Sequence, residues 1–244
     1  MRLLETRYLD GDKSQNGVKS RLCCDVIDEI VTNAFDLSGS LRQPNWVGRG
    51  DDRSLQVFLT LTNLRGVPFS FQLFGPNDPR RYGMLNHGDY LDFTVGVGPK
   101  DVPGAYALDI RTTGDEAWDL YCSGAKAIGA FPISLPPRYI KRKSTNYWHS
   151  LRGGVENNSA FTPLFPDDWM KTVDPYPFIS ADGGAIDNEP LELERRYLAS
   201  ASGSNERSGE NAIRCVMTIS PFLNLQKTTY ESRGERVIDV VPRL

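Results

Sequence analysis

Apolar and polar residues follow two different patterns along the chain. A repeat of three to four positions over residues 22–35, 116–128 and 191–200 predicts three amphipathic helices. Apolar runs rich in β-branched and aromatic residues predict strands over 55–64, 67–74, 90–97 and 213–219, with a last strand over 237–241. Because Arg65 and Gly66 separate the first two runs, those runs are expected to form a hairpin, and residues 76–89 are expected to form a loop.

A further apolar run begins at Phe178 and ends in Asp182, directly before Gly183 and Gly184. This order predicts an acidic side chain at the carboxyl end of a strand, which is where open α/β sheets place their ligands. The two glycines allow a substrate or a second main chain to approach closely. The alternative is an Asp-Gly turn without a functional role, since this dipeptide is common in turns.

The segment from Asp182 to Pro190 (D-G-G-A-I-D-N-E-P) resembles the D-G-G…N-x-P block of the patatin-like phospholipases. Three other stretches are similar to blocks of that family and follow its order. Residues 55–71 resemble a strand-turn-strand unit, residues 122–137 resemble the S-x-A…FP-P segment, and residues 215–222 resemble a late strand that ends in Pro-Phe. Together the four blocks cover about residues 55–225.

The resemblance implies an α/β fold of three layers, in which helices flank a central mixed, mostly parallel sheet that is incomplete at its N-terminal side. Residues 1–244 would form a single domain, the C-terminal portion of a lipid acyl hydrolase domain. Residues 1–54 would be a helical lead-in, 55–225 the region of resemblance and 226–244 a tail.

The resembled family hydrolyses lipid esters with a serine and an aspartate. Asp182 is the position that corresponds to the aspartate, which accepts the serine proton. The remaining motif residues are Gly183, Gly184, Asn188 and Pro190, and the resemblance implies an acyl-pocket wall at Phe131, Pro132, Pro136 and Pro137.

The sequence contains no G-x-S-x-G turn and no glycine-rich oxyanion loop, so the nucleophile of such a site has no candidate here. We therefore expect a chain that carries the aspartate without the serine and is inactive alone. A missing N-terminal half or a partner chain would supply the serine, and the sheet flank left uncovered by its absence would favour self-association. The expected substrate is a lipid or another ester.

Three alternatives remain open at this point. The chain could be a non-catalytic lipid-binding or scaffold protein with a degenerate form of the fold. A Ser-His-Asp triad could use His87 or His149. A carboxylate pair could combine Asp182 with Asp187 or Glu189 in a hydrolase of another class.

Composition and charge limit the classes of function further. A net charge of −3 with mixed signs gives no basis for nucleic-acid binding. Four cysteines without C-x-x-C spacing and only two histidines predict no metal site, and no motif predicts a cofactor. The absence of a signal segment and of a long apolar run predicts a cytoplasmic protein. The basic run 138–143 is expected to be a solvated face, with contact to a membrane surface as the alternative.

Overall fold

A computed structural model of the chain describes residues 12–14, 17–20, 25–35, 54–74, 79–112, 114–132, 134–149, 161–164, 174–187 and 190–202, and a few positions between 210 and 219. Contacts divide the chain into two units, Met1–Asn205 and Glu206–Leu244. The helices and strands given below all belong to the first unit.

The described elements are mostly strands. In chain order they are β1 (Asp12–Ser14), β2 (Gly17–Ser20), α1 (Asp25–Phe35), β3 (Leu55–Phe71), β4 (Tyr82–Gly96), β5 (Tyr106–Asp109), α2 (Glu116–Ile128), β6 (Arg138–Arg142), β7 (Phe161–Pro163), β8 (Tyr176–Asp182) and α3 (Leu191–Ser202). Short 3₁₀ turns follow β6 at Ser144–Tyr147 and β8 at Gly183–Ala185. The predicted helix over 116–128 is confirmed, as is the strand that ends at Asp182.

One mixed sheet of six strands curls into a half-barrel. Its strands follow the order β5-β4-β3-β8-β6, and β7 pairs with β3 off this path. Among the described strands of this sheet, only β4 and β5 pair in parallel. Strand β3 pairs antiparallel with β4, β7 and β8, and β8 pairs antiparallel with β6. The prediction of a mostly parallel sheet in three α/β/α layers is therefore wrong.

The sheet was predicted wrongly because the two longest strands were not recognised as an antiparallel pair. Leu55–Phe71 is one strand of 17 residues rather than a hairpin, and 13 of these residues pair with β4. The register shifts between Thr62 and Val67, where Gly66 has a φ of 75°. The Asn63 side chain accepts hydrogen bonds from the backbone N–H groups of Arg65 (3.0 Å) and Gly66 (2.9 Å). Arg65 and Gly66 thus form an irregularity within a strand, although the same dipeptide is typical of a turn.

The segment predicted to be a loop before residue 90 is partly strand as well, since β4 begins at Tyr82. The predicted strand over 213–219 is also wrong for the residues that can be described. Residues 215–217 and 219 are not strand, and Met217 and Ile219 are 77% and 87% exposed. The predicted strand over 237–241 lies outside the described residues.

Helix α2 packs on one face of the sheet, where Ala127 belongs to the buried core and five partly buried apolar residues of the helix pack against that core. Asp115 is the N-cap of the helix, and its side chain accepts a hydrogen bond from the backbone N–H of Trp118 (2.9 Å). At Gly124 the helix lies so close to the sheet that an added Cβ would be 2.9 Å from Leu91 Cδ1 and 3.0 Å from Leu59 Cδ1. The apolar spacing of α2 therefore faces the alternating apolar positions of β3 and β4.

Candidate functional site

The side chain of Asp182 stands at the carboxyl end of β8 and is half-buried. Its Oδ1 accepts a hydrogen bond from the backbone N–H of Gly184 (2.9 Å), which begins the short 3₁₀ turn. Within the described part of the chain, Asp182 Oδ2 accepts no hydrogen bond. One carboxylate oxygen is thus oriented by the backbone.

The backbone of Asp182 joins three of the four stretches on which the predicted family resemblance is based. Its N–H donates to the carbonyl of Ala130 (3.0 Å), which belongs to the block over 122–137. Its carbonyl accepts a hydrogen bond from Thr62 Oγ1 (2.7 Å), and Asp182 pairs with Leu61 across the β3–β8 ladder. Segments more than 100 residues apart along the chain therefore meet at this acid.

Gly183 is buried and lies against the backbone of β3. A Cβ at this position would be 2.1 Å from the carbonyl oxygen of Thr60, far inside any real contact distance. The glycine after Asp182 is therefore required by the approach of a second main chain. This outcome was one of the two expected from the sequence.

The other predicted site residues occupy varied surroundings. Phe131 is 41% exposed, Pro132 and Pro137 are exposed, and Pro136 is buried. These residues follow Ala130 directly, so their segment begins beside Asp182. Gly184 and Pro190 are half-buried, whereas Asn188 and Glu189 lie outside the described residues.

The two histidines have distinct neighbours. His87 Nδ1 lies 2.8 Å from the backbone carbonyl oxygen of Asn63, inside the irregular part of β3. His149 follows the 3₁₀ turn after β6 and contacts Gly104, where an added Cβ would be 2.8 Å from His149 Cβ. Asp187, proposed for a carboxylate pair, donates its backbone N–H to the carbonyl of Gly183 (2.9 Å).

A buried ion pair lies in the same sheet and was missed by the sequence reasoning. Arg142 is 1% exposed, and its Nη1 is 2.5 Å from Oδ1 of Asp89. Asp89 also accepts hydrogen bonds from the Tyr90 backbone N–H (2.8 Å), Asn63 Nδ2 (2.9 Å) and the Tyr147 hydroxyl (2.7 Å). The guanidinium stacks over the Tyr147 ring at 4.2 Å.

The carboxylate of Asp89 favours the charged form of Arg142. Burial opposes the charged form of Arg142, but the Asp89 carboxylate outweighs it and keeps the pKa of the guanidinium above its usual value. Burial, with the Asp89 charge added, raises the pKa of the Tyr147 hydroxyl well above its ordinary value. Tyr147 therefore stays neutral, and its hydroxyl donates a hydrogen bond to Asp89.

A sequence signal for Arg142 did exist. In β6 the residues alternate, with Tyr139 and Lys141 exposed and Ile140 and Arg142 buried. Side chains alternate between the two faces of a strand. If residues 138–142 are predicted to be a strand, Arg142 therefore lies on the same interior face as Ile140. The expectation that the whole basic run is solvated is wrong at Arg142.

A second buried acid lies on β4. Asp92 pairs across the ladder with Phe58, whose ring contacts Tyr197 of α3 at 5.4 Å between centroids. Gln56 donates to Asp92, and Thr94 Oγ1 donates to Gln56 Oε1 (3.1 Å). Burial raises the pKa of Asp92 to about 6, since the Gln56 hydrogen bond and the Arg142 charge offset only part of the desolvation.

A cleft of about 550 Å³ opens between the start of α2 and the outer face of β6. Its α2 wall carries acidic groups and Ser123, whereas its β6 wall carries Tyr139, Lys141 and Lys143. Tyr106 lies between the two walls, and its hydroxyl accepts a hydrogen bond from the Lys143 backbone N–H (2.8 Å).

The fold and these groups define a curled, mixed β-sheet protein with an acidic strand end and a separate charged cleft. The chain is 32% identical over 228 residues to the uncharacterized protein y4iI of Sinorhizobium fredii. The match covers 84% of this chain and 31% of that relative, so the chain spans about a third of the relative's length. No protein-family model matches the chain, and no solved structure matches it.

None of the helices in the described part of the chain combines the length and the apolar composition needed to span a bilayer. Among the same residues, no three histidine, cysteine, aspartate or glutamate side chains are grouped so that they could hold a metal ion.

Proposed function

We propose that this chain carries the aspartate of a lipid or ester acyl-hydrolase site in which Asp182 is the general base. The observation that supports this function is the meeting of three family-like blocks at the Asp182 backbone, through Ala130 and Thr62.

The chemistry follows from the geometry of the carboxylate. A serine hydroxyl attacks the ester carbonyl carbon, and Asp182 Oδ2 takes the hydroxyl proton while Oδ1 stays bound to the Gly184 N–H. Protonated Asp182 then gives its proton to the leaving oxygen, which departs as the alcohol and leaves an acyl-serine. Asp182 next takes a proton from water as the water oxygen attacks the acyl carbonyl, and it returns that proton to the serine oxygen as the carboxylic acid leaves. The serine and the oxyanion donors would come from residues outside this sequence, in a longer polypeptide or a partner chain.

The proposal rests on the site and not on the overall architecture. The three-layer parallel arrangement is absent from the described fold, yet one chemistry can occur on different scaffolds when the reacting groups share a geometry. The match to part of a longer relative is consistent with a site completed by additional residues.

The first test reads sequence alone. The y4iI protein should contain G-x-S-x-G ahead of the region matched by this chain, and so should the coding sequence before Met1. Absence of the motif from both would contradict the proposal.

The second test measures turnover. The chain is produced together with the polypeptide that carries G-x-S-x-G, and hydrolysis of p-nitrophenyl butyrate is followed. Asp182→Asn should lower kcat about 10²- to 10⁴-fold, which is the usual contribution of a positioned general base. Asp187→Asn, five residues away, is the matched control and should leave kcat close to that of the wild type.

Turnover that survives Asp182→Asn would overturn the assignment. Turnover by residues 1–244 alone, lost on substitution of His87 or His149, would favour the triad instead.

A second candidate function is lipid binding without catalysis. Apolar side chains are exposed in the segments that meet at Asp182, with Phe131, Ile186 and Leu191 at 41%, 54% and 42%. A fluorescent fatty acid should then bind the chain, and Phe131→Ser should weaken that binding while Asp182→Asn should not. Esterase turnover that depends on Asp182 would exclude this second function.

A further inference from the structure

The walls of the cleft beside α2 carry charges of opposite sign. Glu116, Asp119 and Ser123 recur at helical spacing and therefore share one face of α2. Tyr139, Lys141 and Lys143 recur at every second position of β6 and its extension, so they share the outer face of that strand. Each wall is thus produced by the periodicity of its own element.

Each lysine lies over an aromatic ring that lines the cleft. Lys141 Nζ lies 5.8 Å from the centroid of the Tyr139 ring, and Lys143 Nζ lies 5.7 Å from the centroid of the Tyr106 ring. Both distances are within the range of a cation–π contact, about 6 Å. These contacts position two ammonium groups along the cleft without neutralising them.

The opposed charges do not pair with one another. In the part of the chain that the structure describes, Lys141, Lys143, Glu116 and Asp119 form no ion pair. The space between the walls is about 550 Å³, within the usual range for small-molecule sites, about 300–1,000 Å³. A ligand with one group of each charge would contact both walls at once.

We infer that this cleft binds a small zwitterionic molecule, with a phosphate group at Lys141 and Lys143 and an ammonium group at Glu116 and Asp119. Two lysines suit a phosphate because its charge is spread over several oxygen atoms. Two carboxylates suit an ammonium or quaternary ammonium group because they attract its positive charge. This inference is independent of the proposed hydrolase, since it uses none of the groups around Asp182.

The test is a calorimetric titration of the whole chain with glycerophosphocholine, together with glycerol 3-phosphate and choline as its two half-ligands. The zwitterion should bind at least about tenfold more tightly than either half-ligand, because only it contacts both walls. Its affinity should fall when salt is raised, since the charged groups are exposed.

Paired substitutions assign the two ends of the ligand. Lys141→Gln with Lys143→Gln should reduce the affinity for the zwitterion to that for choline. Glu116→Gln with Asp119→Asn should reduce it to that for glycerol 3-phosphate. The control is Lys100→Gln with Glu194→Gln, which removes one charge of each sign away from the cleft and should leave the affinity unchanged.

An additional experiment with lipid vesicles distinguishes a free solute from a lipid headgroup as the ligand. Flotation with phosphatidylcholine vesicles, sensitive to the same substitutions, would identify a headgroup, and binding of the soluble zwitterion alone would identify a free solute. Each result supports the zwitterion site. No binding of either form up to about 10 mM, equal affinity for a half-ligand, or variants without effect in a folded protein would overturn it.

Discussion

Removal of the buried guanidinium of Arg142 is the most direct test of the described core. Arg142→Met keeps an unbranched side chain of similar length but leaves the Asp89 carboxylate buried without its counter-charge. The carboxylate would retain its hydrogen bonds from Asn63, Tyr90 and Tyr147. The substitution thus removes the charge pairing while most of the hydrogen bonding survives.

The expected loss follows from the burial of both partners. Breaking a buried ion pair by removing one member costs about 3–5 kcal/mol. Arg142 Nε has no hydrogen-bond partner within the described residues, so the wild-type pair is itself imperfectly satisfied. We therefore expect the lower end, about 3 kcal/mol.

Urea denaturation followed by tryptophan fluorescence measures the free energy of unfolding. The matched control is Arg111→Met, which breaks the pair with Asp109, where the Arg111 side chain is 56% exposed. An exposed pair contributes about 0–1 kcal/mol. Combining Arg142→Met with Asp89→Asn removes both charges and should recover more than half of the loss.

Equal losses for Arg142→Met and Arg111→Met would refute the reasoning, because the Arg142 pair would then be exposed to solvent. A double variant no more stable than the single one would also refute it, since the unpaired charge would not be the cause of the loss.

Three further predictions concern other described sites. The pKa of Asp92 in the folded state is about 6, raised from 3.8, so the stability that its protonated form contributes is complete below pH 4 and is lost as the pH rises through 6. Urea denaturation should show that the wild type loses up to about 3 kcal/mol between pH 4 and pH 7.5 relative to Asp92→Asn. Gly183→Ala introduces a contact of 2.1 Å with the Thr60 carbonyl and should cost about 1–3 kcal/mol or more in thermal unfolding. Gly83→Ala, where an added Cβ meets nothing within 4 Å, should change stability little. Asp115→Ala removes the cap of α2 and should cost about 1 kcal/mol, measured by circular dichroism; no change would place the start of the helix elsewhere.

Local periodicity predicted some individual elements correctly and others wrongly. The helix over 116–128 and the strand ending at Asp182 agree with the structure, because amphipathic spacing and a strand stop are properties of neighbouring residues. The same reasoning failed at Arg65 and Gly66, since a turn and a strand irregularity have the same local composition. Strand partners over long separations decide between them.

The sequence by itself determined the positions of the apolar faces, the acid at the end of β8 and the glycine after it. The tertiary structure decided the direction of strand pairing and hence the curled, mostly antiparallel sheet. It also decided that Asp89 and Arg142, 53 positions apart, neutralise each other in the interior. The physical reason is that a buried charge is tolerated only beside its partner, and the sequence does not state which distant residue that partner is.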